Sequence, residues 1–475
     1  MCSVIGIYSK NLGDVSQKAQ ELLSVLKHRG PDGFGVKSKN FELKSKNYSD
    51  LKKIPKTNFI LGHGLLSTTG YSFQPITKGN VSISHNGQIY NFEDFLQKKS
   101  ENPASDSEVI ADFFSKELSK KSITTAVENF VKKASGEYSI GFIYKNKIFA
   151  FRDILGLKPL WFGENDSVVA FASEPAALMK IDIQFPQPLL PGYLLEISSK
   201  GASTKKILGI EFLKKNISKK HSFDSFKDGF EKTIFEQTKG LKKAAVLFSG
   251  GVDSSLIAKA VSKNVKETIL FVAGVKESPD VKVAKKTAKE MNLPLEIIYL
   301  DEKNISSLAF KCMKYLSFFD EMQIGIAVPE LACAEKIKEK GIRVVFSGQG
   351  SDEIFAGYSS YIKALDKGGF SEVEKELWFS LSRMWSRNFH RDDIICSRES
   401  LELRVPFVGL GFLKEAMAYP AEKKILSKND LIRKHPIREL AEFYDVPKSV
   451  VLRLKKAMQY GSGSQKIVSK LFKGN

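Results

Sequence analysis

The stretch AAVLFSGGVDSS, residues 244–255, joins an apolar strand to the start of a helix through two glycines. Ala244 to Phe248 is short, apolar and β-prone, a pattern typical of a buried strand in a parallel sheet. The glycines leave backbone N–H groups unobstructed, and the helix dipole favours negative charge, so the stretch predicts an anion site. It is not a Walker A loop, because no Gly-Lys-Ser/Thr follows. The plain alternative is a turn in which Asp253 caps the helix.

The bulk composition is that of a globular protein with room for two or three domains. The chain has 475 residues, of which 42% are hydrophobic and 27% charged. No run approaches the ~18 apolar residues of a membrane span, and the N-terminus lacks the basic start and apolar region of a signal peptide. The four cysteines form no Cys-x-x-Cys pair. We therefore expect neither a disulfide scaffold nor a zinc site, and a reducing cytoplasm is the expected compartment.

The chain is strongly basic. It has 73 Lys and Arg against 54 Asp and Glu, a formal net charge of +19, and residues 448–475 contain no acid. This balance is compatible with nucleic-acid binding, with anionic substrates or with a lysine-rich proteome. A nucleic-acid partner therefore stays open but is not favoured. No membrane partner is indicated, and a homodimer is compatible with the sequence.

The patterning changes near residue 200. Before it, short apolar strands in pairs predict antiparallel sheets, and Ser-Asp-Ser-Glu at 105–108 is a capping box at a helix start. Residues 200–220 are lysine-rich and predict a connection. After them strands and helices alternate, which predicts a parallel sheet with helices on both faces. From about residue 355 the pattern is mostly helical.

Cys2 is a candidate nucleophile because of its position. Removal of Met1 would leave a cysteine with its own free α-amino group. The pKa of such an amine is about 7.7–8.0, so near neutral pH a fraction is uncharged and can accept the thiol proton. Nucleophile and base then belong to one residue, and no histidine is required. The alternative for Cys2 taken alone is a buried strand residue.

Four motifs follow Cys2 in order: HRGPDG (28–33), HNGQIYN (85–91), SDSEV (105–109) and RDILGLKPLW (152–161). Together they resemble the class II glutamine amidotransferase domain of the asparagine synthetase type, whose cysteine attacks the side-chain amide of glutamine. The resemblance implies an oxyanion hole formed by an amide side chain and a backbone N–H, both able to donate to a developing O⁻. The implied residues of this hole are Asn86 and Gly87. The implied glutamine-binding residues are Asn86, Gly87, Gln88 and Asp106, the last for the α-ammonium group.

The second half of the chain continues the resemblance. SGGVDSS resembles the pyrophosphate loop of the N-type ATP pyrophosphatases, which split ATP between the α- and β-phosphates. SGQGSDEIFAGY (347–358), LELRVPF (401–407) and RLKKAMQYGSG (453–463) resemble the synthetase domain of the same family. The resemblance implies an α+β N-terminal-nucleophile amidotransferase domain over 2–200. A doubly wound α/β ATP pyrophosphatase domain with a helical C-terminal part follows over 221–475.

The resemblance also implies the residues of the ATP site. The implied ATP-binding residues are Leu247, Ser249, Gly250, Gly251, Asp253, Ser254, Ser255, Val272, Ser347 and Gly348. Asp253 and Asp352 are the implied ligands of Mg²⁺, a hard cation suited to carboxylates and phosphates. Lys455 is implied to stabilise later transition states; the alternative is a solvated pair with Lys456. Ammonia freed at Cys2 would reach an acyl-adenylate and yield an amide, AMP and pyrophosphate.

Four positions depart from the family pattern. Leu65 stands where an arginine clamps the α-carboxylate of glutamine, and leucine cannot replace an Arg–carboxylate fork. Either Arg29 or Arg152 takes over, or the donor is bound differently. The other three departures are Gln88 for a glutamate, Gln349 for a glutamate linked to acyl-adenylate formation, and Gly409 for an acid.

Three functions are compatible with these residues. The favoured one is glutamine-dependent asparagine synthetase, which uses ATP and Mg²⁺ to convert aspartate. The alternative is a related amidotransferase acting on another acceptor, such as a modified tRNA base, which the basic C-terminal segment motivates. The third is a family member without catalysis, motivated by Leu65 and Gln349. Formation of AMP separates the third function from the other two.

Overall fold

A computed structural model describes residues 1–68, 70–96, 103–218, 220–316, 320–454 and 461–473. The chain divides into two compact units, Met1–Lys215 and Asn216–Asn475. In the described ranges no helix has the length and apolar character that crossing a membrane requires.

The first unit is built on two antiparallel sheets. Its strands are β1 (Ser3–Ser9), β2 (Phe34–Lys37), β3 (Glu42–Ser45), β4 (Phe59–Gly64), β5 (Ile76–Lys78), β6 (Val81–Ile89), β7 (Gly136–Tyr144), β8 (Lys147–Arg152), β9 (Trp161–Glu164), β10 (Val168–Ala172), β11 (Gln187–Pro188), β12 (Tyr193–Ser198) and β13 (Gly201–Lys206). The strand orders are β11-β9-β10-β1-β4-β2-β3 in one sheet and β13-β12-β8-β7-β6-β5 in the other. The α-helices are α1 (Ser16–Val25), α2 (Asp106–Leu118), α3 (Ile123–Lys133), α4 (Pro175–Lys180) and α5 (Ile210–Lys215), with 3₁₀ turns at Tyr48–Lys53 and Phe92–Phe95.

Alternation along β1 explains how the two sheets and their helices form layers. All seven residues of β1 are buried, because the strand is central in its sheet. Ile5 and Ile7 pack in one core with residues of α1 and α4. Val4 and Tyr8 point to the opposite side and share a core with residues of β8 and β12 from the other sheet. The first unit is therefore layered as helix, sheet, sheet, with α2 packing on β5 and β6 beyond.

The second unit is built on a five-stranded parallel sheet, in the order β16-β15-β14-β17-β18. Its strands are β14 (Lys243–Leu247), β15 (Glu267–Gly274), β16 (Leu295–Tyr299), β17 (Val344–Phe346) and β18 (Glu402–Arg404). The helices around the sheet are α6 (Phe223–Thr238), α7 (Val252–Asn264), α8 (Pro279–Met291), α9 (Glu302–Leu316) and α10 (Glu321–Glu339).

The rest of the second unit is mainly helical. Its α-helices are α11 (Ser351–Ile354), α12 (Ser359–Met384, kinked at Gly368 and Gly369), α13 (His390–Arg398), α14 (Leu410–Ala418), α15 (Ala421–Lys424), α16 (His435–Phe443), α17 (Lys448–Val451) and α18 (Ser464–Lys473). A π-helical turn, Trp385–Phe389, joins α12 to α13, and a 3₁₀ turn covers Pro406–Val408. The predicted succession of antiparallel sheets, parallel sheet and helical C-terminal part is confirmed.

Two short elements differ from the sequence-based expectation. The connection predicted over 200–220 contains β13 and α5, and β13 pairs along its length with β12. Its lysines are exposed because β13 is an edge strand, where charged residues are tolerated. The LELRVPF motif contributes β18, the three-residue edge strand of the parallel sheet.

The capping box at α2 is present in part, because the Ser105 side chain accepts from Glu108 N at 3.3 Å, while Glu108 accepts from Ala104 N.

Candidate active sites

Cys2 lies immediately before β1, beside the residues that follow β4. Its Sγ accepts a hydrogen bond from Leu66 N at 3.3 Å and lies 3.6 Å from Leu66 O. The thiol is part-buried, whereas Met1 before it is buried at 2% exposure. Burial and then the charges of Cys2 and Asp32 raise the pKa of the Tyr48 hydroxyl, which donates to Gly30 O. The part-buried thiol therefore contacts polar backbone groups rather than only the apolar centre of a sheet.

A buried ion pair holds the backbone of Cys2. Arg29 Nε donates to Cys2 O at 3.0 Å, and Arg29 Nη1 lies 3.1 Å from Glu174 Oε1. His28 Nε2 contacts the same carboxylate oxygen at 2.8 Å. The Arg29 side chain is completely buried. Its charge is thus compensated by Glu174, and its geometry serves to position the nucleophile.

The second arginine considered as a carboxylate clamp, Arg152, is also occupied by the fold. Its guanidinium donates to Leu189 O at 3.1 Å and to Gly156 O, and the side chain is 2% exposed. Leu65 itself is 4% exposed. Both arginines are buried and donate hydrogen bonds within the fold, and the way in which the glutamine carboxylate is held stays a prediction.

Asn86 and Gly87 are adjacent in β6 and have the properties expected of an oxyanion hole. The carboxamide of Asn86 is 1% exposed, yet neither its nitrogen nor its oxygen has a hydrogen-bond partner among the described residues. Buried polar groups are ordinarily paired, so such a group points to a ligand. Gly87 has φ +142°, and a Cβ there would lie 1.9 Å from Glu137 O. Glycine is therefore required for β6 to pair closely with β7.

Asp106 begins α2 and reaches back to β6. Its Oδ2 accepts from Ile89 N at 2.8 Å, and the side chain is 14% exposed. Gln88, the remaining predicted glutamine contact, is part-buried in the same strand. His63 Nε2 donates to His85 O at 3.1 Å, which brings the end of β4 next to this part of β6. Burial lowers the pKa of His63 to about 3, so this histidine is neutral.

The phosphate loop of the second unit folds as the sequence predicts, between β14 and α7. Gly250 has φ +69°, a left-handed conformation that favours glycine. Gly251 is the N-terminal cap of α7, so Asp253 lies in the first turn and is not the cap. Ser249 Oγ lies 3.3 Å from Ser254 Oγ, and Ser254 Oγ donates to Gly251 O at 3.2 Å. The loop therefore presents two hydroxyls and a helix N-terminus together.

Most of the predicted nucleotide residues line a cavity of about 400 Å³ in the second unit. Those in its wall are Leu247, Ser249, Asp253, Ser254, Ser347, Gly348 and Asp352. Gly251 lines a smaller adjoining cavity with Ser249, and Val272 lines a third with Leu247 and Ser249. Gly250 and Ser255 line none of these three cavities, and Ser255 is completely buried.

Lys434 is a site residue that sequence reasoning missed. Its Nζ lies 2.9 Å from Asp253 Oδ2 and 2.6 Å from Asp352 Oδ1, and the residue is 1% exposed. Ser351 Oγ donates to the other oxygen of Asp253 at 2.7 Å. A buried ammonium thus joins the two carboxylates predicted as metal ligands. The signal in the sequence is the KHPIR segment, a lysine directly before the Pro-initiated helix α16.

The residues present fit a divalent cation in donor type and direction. Asp253 and Asp352 converge on one point, marked by Lys434 Nζ, and carboxylate oxygens suit Mg²⁺. Within the described residues, no group of three or more His, Cys, Asp or Glu could hold a metal. A cation here would therefore depend on nucleotide phosphates for further ligands, and the Mg²⁺ site stays a prediction.

Opposite the phosphate loop, the cavity wall contains a buried network around Asp392. Gln349 Nε2 donates to Asp392 Oδ2 at 3.1 Å, and Arg391 Nε donates to Asp392 Oδ1 at 2.7 Å. Arg391 Nη1 donates to Gln323 Oε1 at 2.7 Å. Burial raises the pKa of Glu330 well above its ordinary value, and the nearby Asp392 raises it further. The sequence identified only Gln349 among these groups.

Two family models match the chain in the order of its units. Residues 1–211 match the glutamine amidotransferase domain, and residues 225–371 and 366–473 match asparagine synthase. The chain belongs to the asparagine synthase family.

Relatives in this family align with nearly the full length of this chain. The putative glutamine-hydrolyzing asparagine synthetase 1 of Methanocaldococcus jannaschii is 30% identical over 100% of this chain and 96% of the relative. Asparagine synthetase B of Escherichia coli is 25% identical over 98% and 83% respectively. A solved structure of glutamine phosphoribosylpyrophosphate amidotransferase from B. subtilis, complexed with ADP and GMP, aligns with a TM-score of 0.40 and 19% identity. That alignment covers 62% of this chain and 65% of the other.

Two further positions can be compared with the asparagine synthase pattern. Gly409 replaces an acid, and a Cβ at this position would lie 2.5 Å from Thr233 Cγ2. Thr233 is buried, so the local packing leaves room only for glycine.

Lys455, the predicted catalytic lysine, and Lys456 lie outside the described residues. The role of Lys455 therefore stays a prediction from the motif.

Proposed function

We propose that this protein is a glutamine-hydrolysing asparagine synthetase, with aspartate as the acceptor. The observation that supports it best is the full-length match to asparagine synthetases, in which the glutaminase and synthetase units follow in the same order. The geometry agrees in each unit. The first presents a part-buried thiol at position two, and the second presents a phosphate loop on a cavity of about 400 Å³. That volume is ordinary for small-molecule sites.

In the first unit, the thiol of Cys2 would be the nucleophile, once Met1 is removed. The α-amine takes the thiol proton, and sulfur attacks the side-chain carbonyl carbon of glutamine. The Asn86 carboxamide and the Gly87 N–H donate to the oxygen that becomes negative. The C–N bond breaks and ammonia leaves with the proton from the amine. Water then hydrolyses the thioester to glutamate and restores the thiol.

In the second unit, the side-chain carboxylate of aspartate would attack the α-phosphorus of ATP. Pyrophosphate leaves toward the phosphate loop, where the N-terminus of α7 and the hydroxyls of Ser249 and Ser254 can hold it. Asp253 and Asp352 would hold Mg²⁺, which when bound supplies positive charge beside the phosphates. Ammonia then attacks the acyl carbon, AMP leaves, and asparagine forms. Lys434 keeps the two aspartates in place.

The experiment that tests this function measures AMP release. Purified protein is incubated with ATP, Mg²⁺ and glutamine, and with aspartate, other carboxylic acids or tRNA as acceptor. We expect AMP, pyrophosphate and asparagine in equal amounts with aspartate only. AMP that requires tRNA, or formation of ADP and phosphate, would contradict the proposal. Binding of tRNA is measured alongside at several salt concentrations. If Lys466, Lys470 and Lys473 contact phosphates, the logarithm of the binding constant should fall with the logarithm of the salt concentration, with a slope of roughly −0.7 to −0.9 per contact.

Cys2→Ala separates the two reactions. The variant should form no glutamate from glutamine, because the nucleophile is gone, but should still make asparagine from ammonium chloride. Cys312→Ala is the matched control, because Cys312 is a buried cysteine of the other unit. Full glutamine hydrolysis by Cys2→Ala would show that the nucleophile lies elsewhere.

Two finer properties belong to the same proposal. None of the four cysteines forms a disulfide, which is compatible with a reducing cytoplasm. We propose that compartment on this ground. Assembly as a homodimer stays a prediction.

A further inference from the structure

Gln349 and Asp392 form a directional hydrogen bond in the wall of the largest of the described nucleotide-site cavities. Both residues line the cavity of about 400 Å³, and Gln349 Nε2 lies 3.1 Å from Asp392 Oδ2. An ionised carboxylate only accepts hydrogen bonds, whereas a carboxamide has one donating and one accepting end. Asp392 therefore selects which end of Gln349 faces it. The amide nitrogen is used by Asp392, and the amide oxygen is the end left for other partners.

The position of Asp392 is set from its other side. Arg391 Nε and Nη2 lie 2.7 and 2.6 Å from Asp392 Oδ1, a charge-assisted contact. Arg391 is in turn held by Gln323 Oε1 at 2.7 Å. Asp392 is 4% exposed, and α13 carries both members of the ion pair. The carboxylate is thus held by a buried framework in which Oδ1 accepts from Arg391, Oδ2 accepts from Gln349, and Glu330 is a further hydrogen-bond partner.

The local charge explains why position 349 is an amide here. One carboxylate, Asp392, is balanced by one guanidinium, Arg391. Glu330 lies beside them at 4% exposure, and burial favours its neutral, protonated form. A glutamate at position 349 would put a second negative charge within hydrogen-bonding distance of Asp392. Ionisation of both carboxylates would be disfavoured, because Asp392 is buried and the like charges would be adjacent.

We infer that Asp392 is a positioning residue for the synthetase reaction: it orients Gln349 so that the amide oxygen accepts a hydrogen bond from the bound acceptor. The inference rests on the proposed function and extends it to acceptor recognition. In aspartate the donor that such an oxygen can receive is the α-ammonium group. Gln349 and Asp392 consequently act as a pair: Asp392 supplies the negative charge that orients the amide, and Gln349 supplies the contact with the acceptor.

The test exchanges the two side-chain types. Asp392→Asn and Gln349→Glu are made singly and together, and steady-state AMP formation is measured against aspartate and against ATP. Each single change should lower kcat/KM for aspartate by about 10- to 100-fold, the range for a hydrogen bond to a charged group. KM for ATP should stay close to that of the wild type. The double variant restores one carboxylate and one amide in reversed order, so it should recover to within about threefold of the wild type, as coupled neighbours do.

Controls separate positioning from folding. Asp393→Asn is the matched change at the next residue of α13, which is equally buried but does not line the cavity. Its KM for aspartate should be that of the wild type, and the melting temperature of every variant is recorded. Folded single variants with unchanged kcat/KM, or a folded double variant no better than the worse single one, would overturn the inference. Wild-type protein without aspartate-dependent AMP would instead contradict the proposed function.

Discussion

Asn86 is buried, yet its carboxamide has no hydrogen-bond partner in the described part of the chain. A group of this kind adds little to folding stability, yet its desolvation has already occurred before substrate binds. Arg29, in contrast, forms hydrogen bonds within the fold. Its Nε donates to Cys2 O and its Nη1 pairs with Glu174, so it contacts the nucleophile through the backbone of Cys2.

Asn86→Ala should therefore damage catalysis far more than stability. We expect kcat for glutamine hydrolysis to fall by about 10²–10³-fold, the effect of losing one oxyanion donor. The melting temperature should hardly change, because no protein hydrogen bond is lost. Asn165→Ala is the control, since the Asn165 carboxamide accepts from Ser167 N and Val168 N. A destabilised but fully active Asn86→Ala protein would show that Asn86 is structural.

His63 predicts how the first unit responds to acid. Its folded pKa of about 3 lies below the unfolded value of 6.5, because burial disfavours the charged ring. As the pH falls below 6.5, His63 becomes protonated in the unfolded chain but stays neutral in the folded chain. The free energy of unfolding therefore decreases. Between pH 6.5 and 5 this contribution is about 2 kcal/mol.

His63→Gln should remove that dependence while keeping an N–H donor for His85 O. Urea unfolding of the wild type and the variant is compared at pH 6.5 and 5, and the wild type should lose more stability over this interval. His221→Gln is the control, because His221 is exposed. Equal losses in the wild type and His63→Gln would contradict the buried neutral state of His63.

At the scale of elements, Lys434 connects three helices of the second unit. It caps the start of α16, while Asp253 lies in the first turn of α7 and Asp352 in the first turn of α11. The residue has φ +59° and its backbone donates to Lys424 O. The phosphate loop is therefore tied to a distant helix through one buried ammonium group.

Lys434→Met should leave the carboxylates of Asp253 and Asp352 close together without a cation. Because breaking a buried ion pair leaves uncompensated charge, we expect a loss of about 3–5 kcal/mol from the second unit. Lys428→Met is the control, since its pair with Asp366 is exposed and should contribute less than about 1 kcal/mol. Mg²⁺ should raise the melting temperature of Lys434→Met more than that of the wild type. No difference between the two in Mg²⁺ would argue against a cation at these aspartates.

At the scale of the whole molecule, the two units have separate sheets and separate cores. Each unit also contains its own candidate site: Cys2, Asn86 and Asp106 in the first, and the phosphate loop and Asp352 in the second. The chemistry of one unit should consequently survive damage to the site of the other.

Asp253→Ala and Asp352→Ala test this independence. Each should reduce aspartate-dependent AMP and pyrophosphate by at least about 100-fold, because Mg²⁺ would lose a ligand. Basal hydrolysis of glutamine should persist, since its residues belong to the other unit. Asp366→Ala, an exposed aspartate of the second unit, is the control. Simultaneous loss of both activities in folded variants would contradict independent sites.

Much of the fold and of both sites could be predicted from the sequence, because the signals are local. The strand, glycine turn and helix of residues 244–255 follow from neighbouring residues alone. Cys2 at the second position and Asn86 next to Gly87 are likewise set by adjacency. Short apolar strands in pairs also predict the antiparallel sheets, because strands that are neighbours in sequence can pair through a short turn.

Only the tertiary structure decided which charged residues lie in the candidate sites. Lys434 is 181 positions from Asp253. A lysine in a polar segment is predicted to be solvated, and only the packing of the chain places Lys434 between two carboxylates. Gln349 and Asp392 are 43 positions apart, and their pairing depends on how α13 packs beside the loop after β17. The partners of Arg29 are equally remote, with Glu174 145 positions away. The physical reason is that the energy of a charge depends on its burial and its partners, which a sequence states only for neighbours.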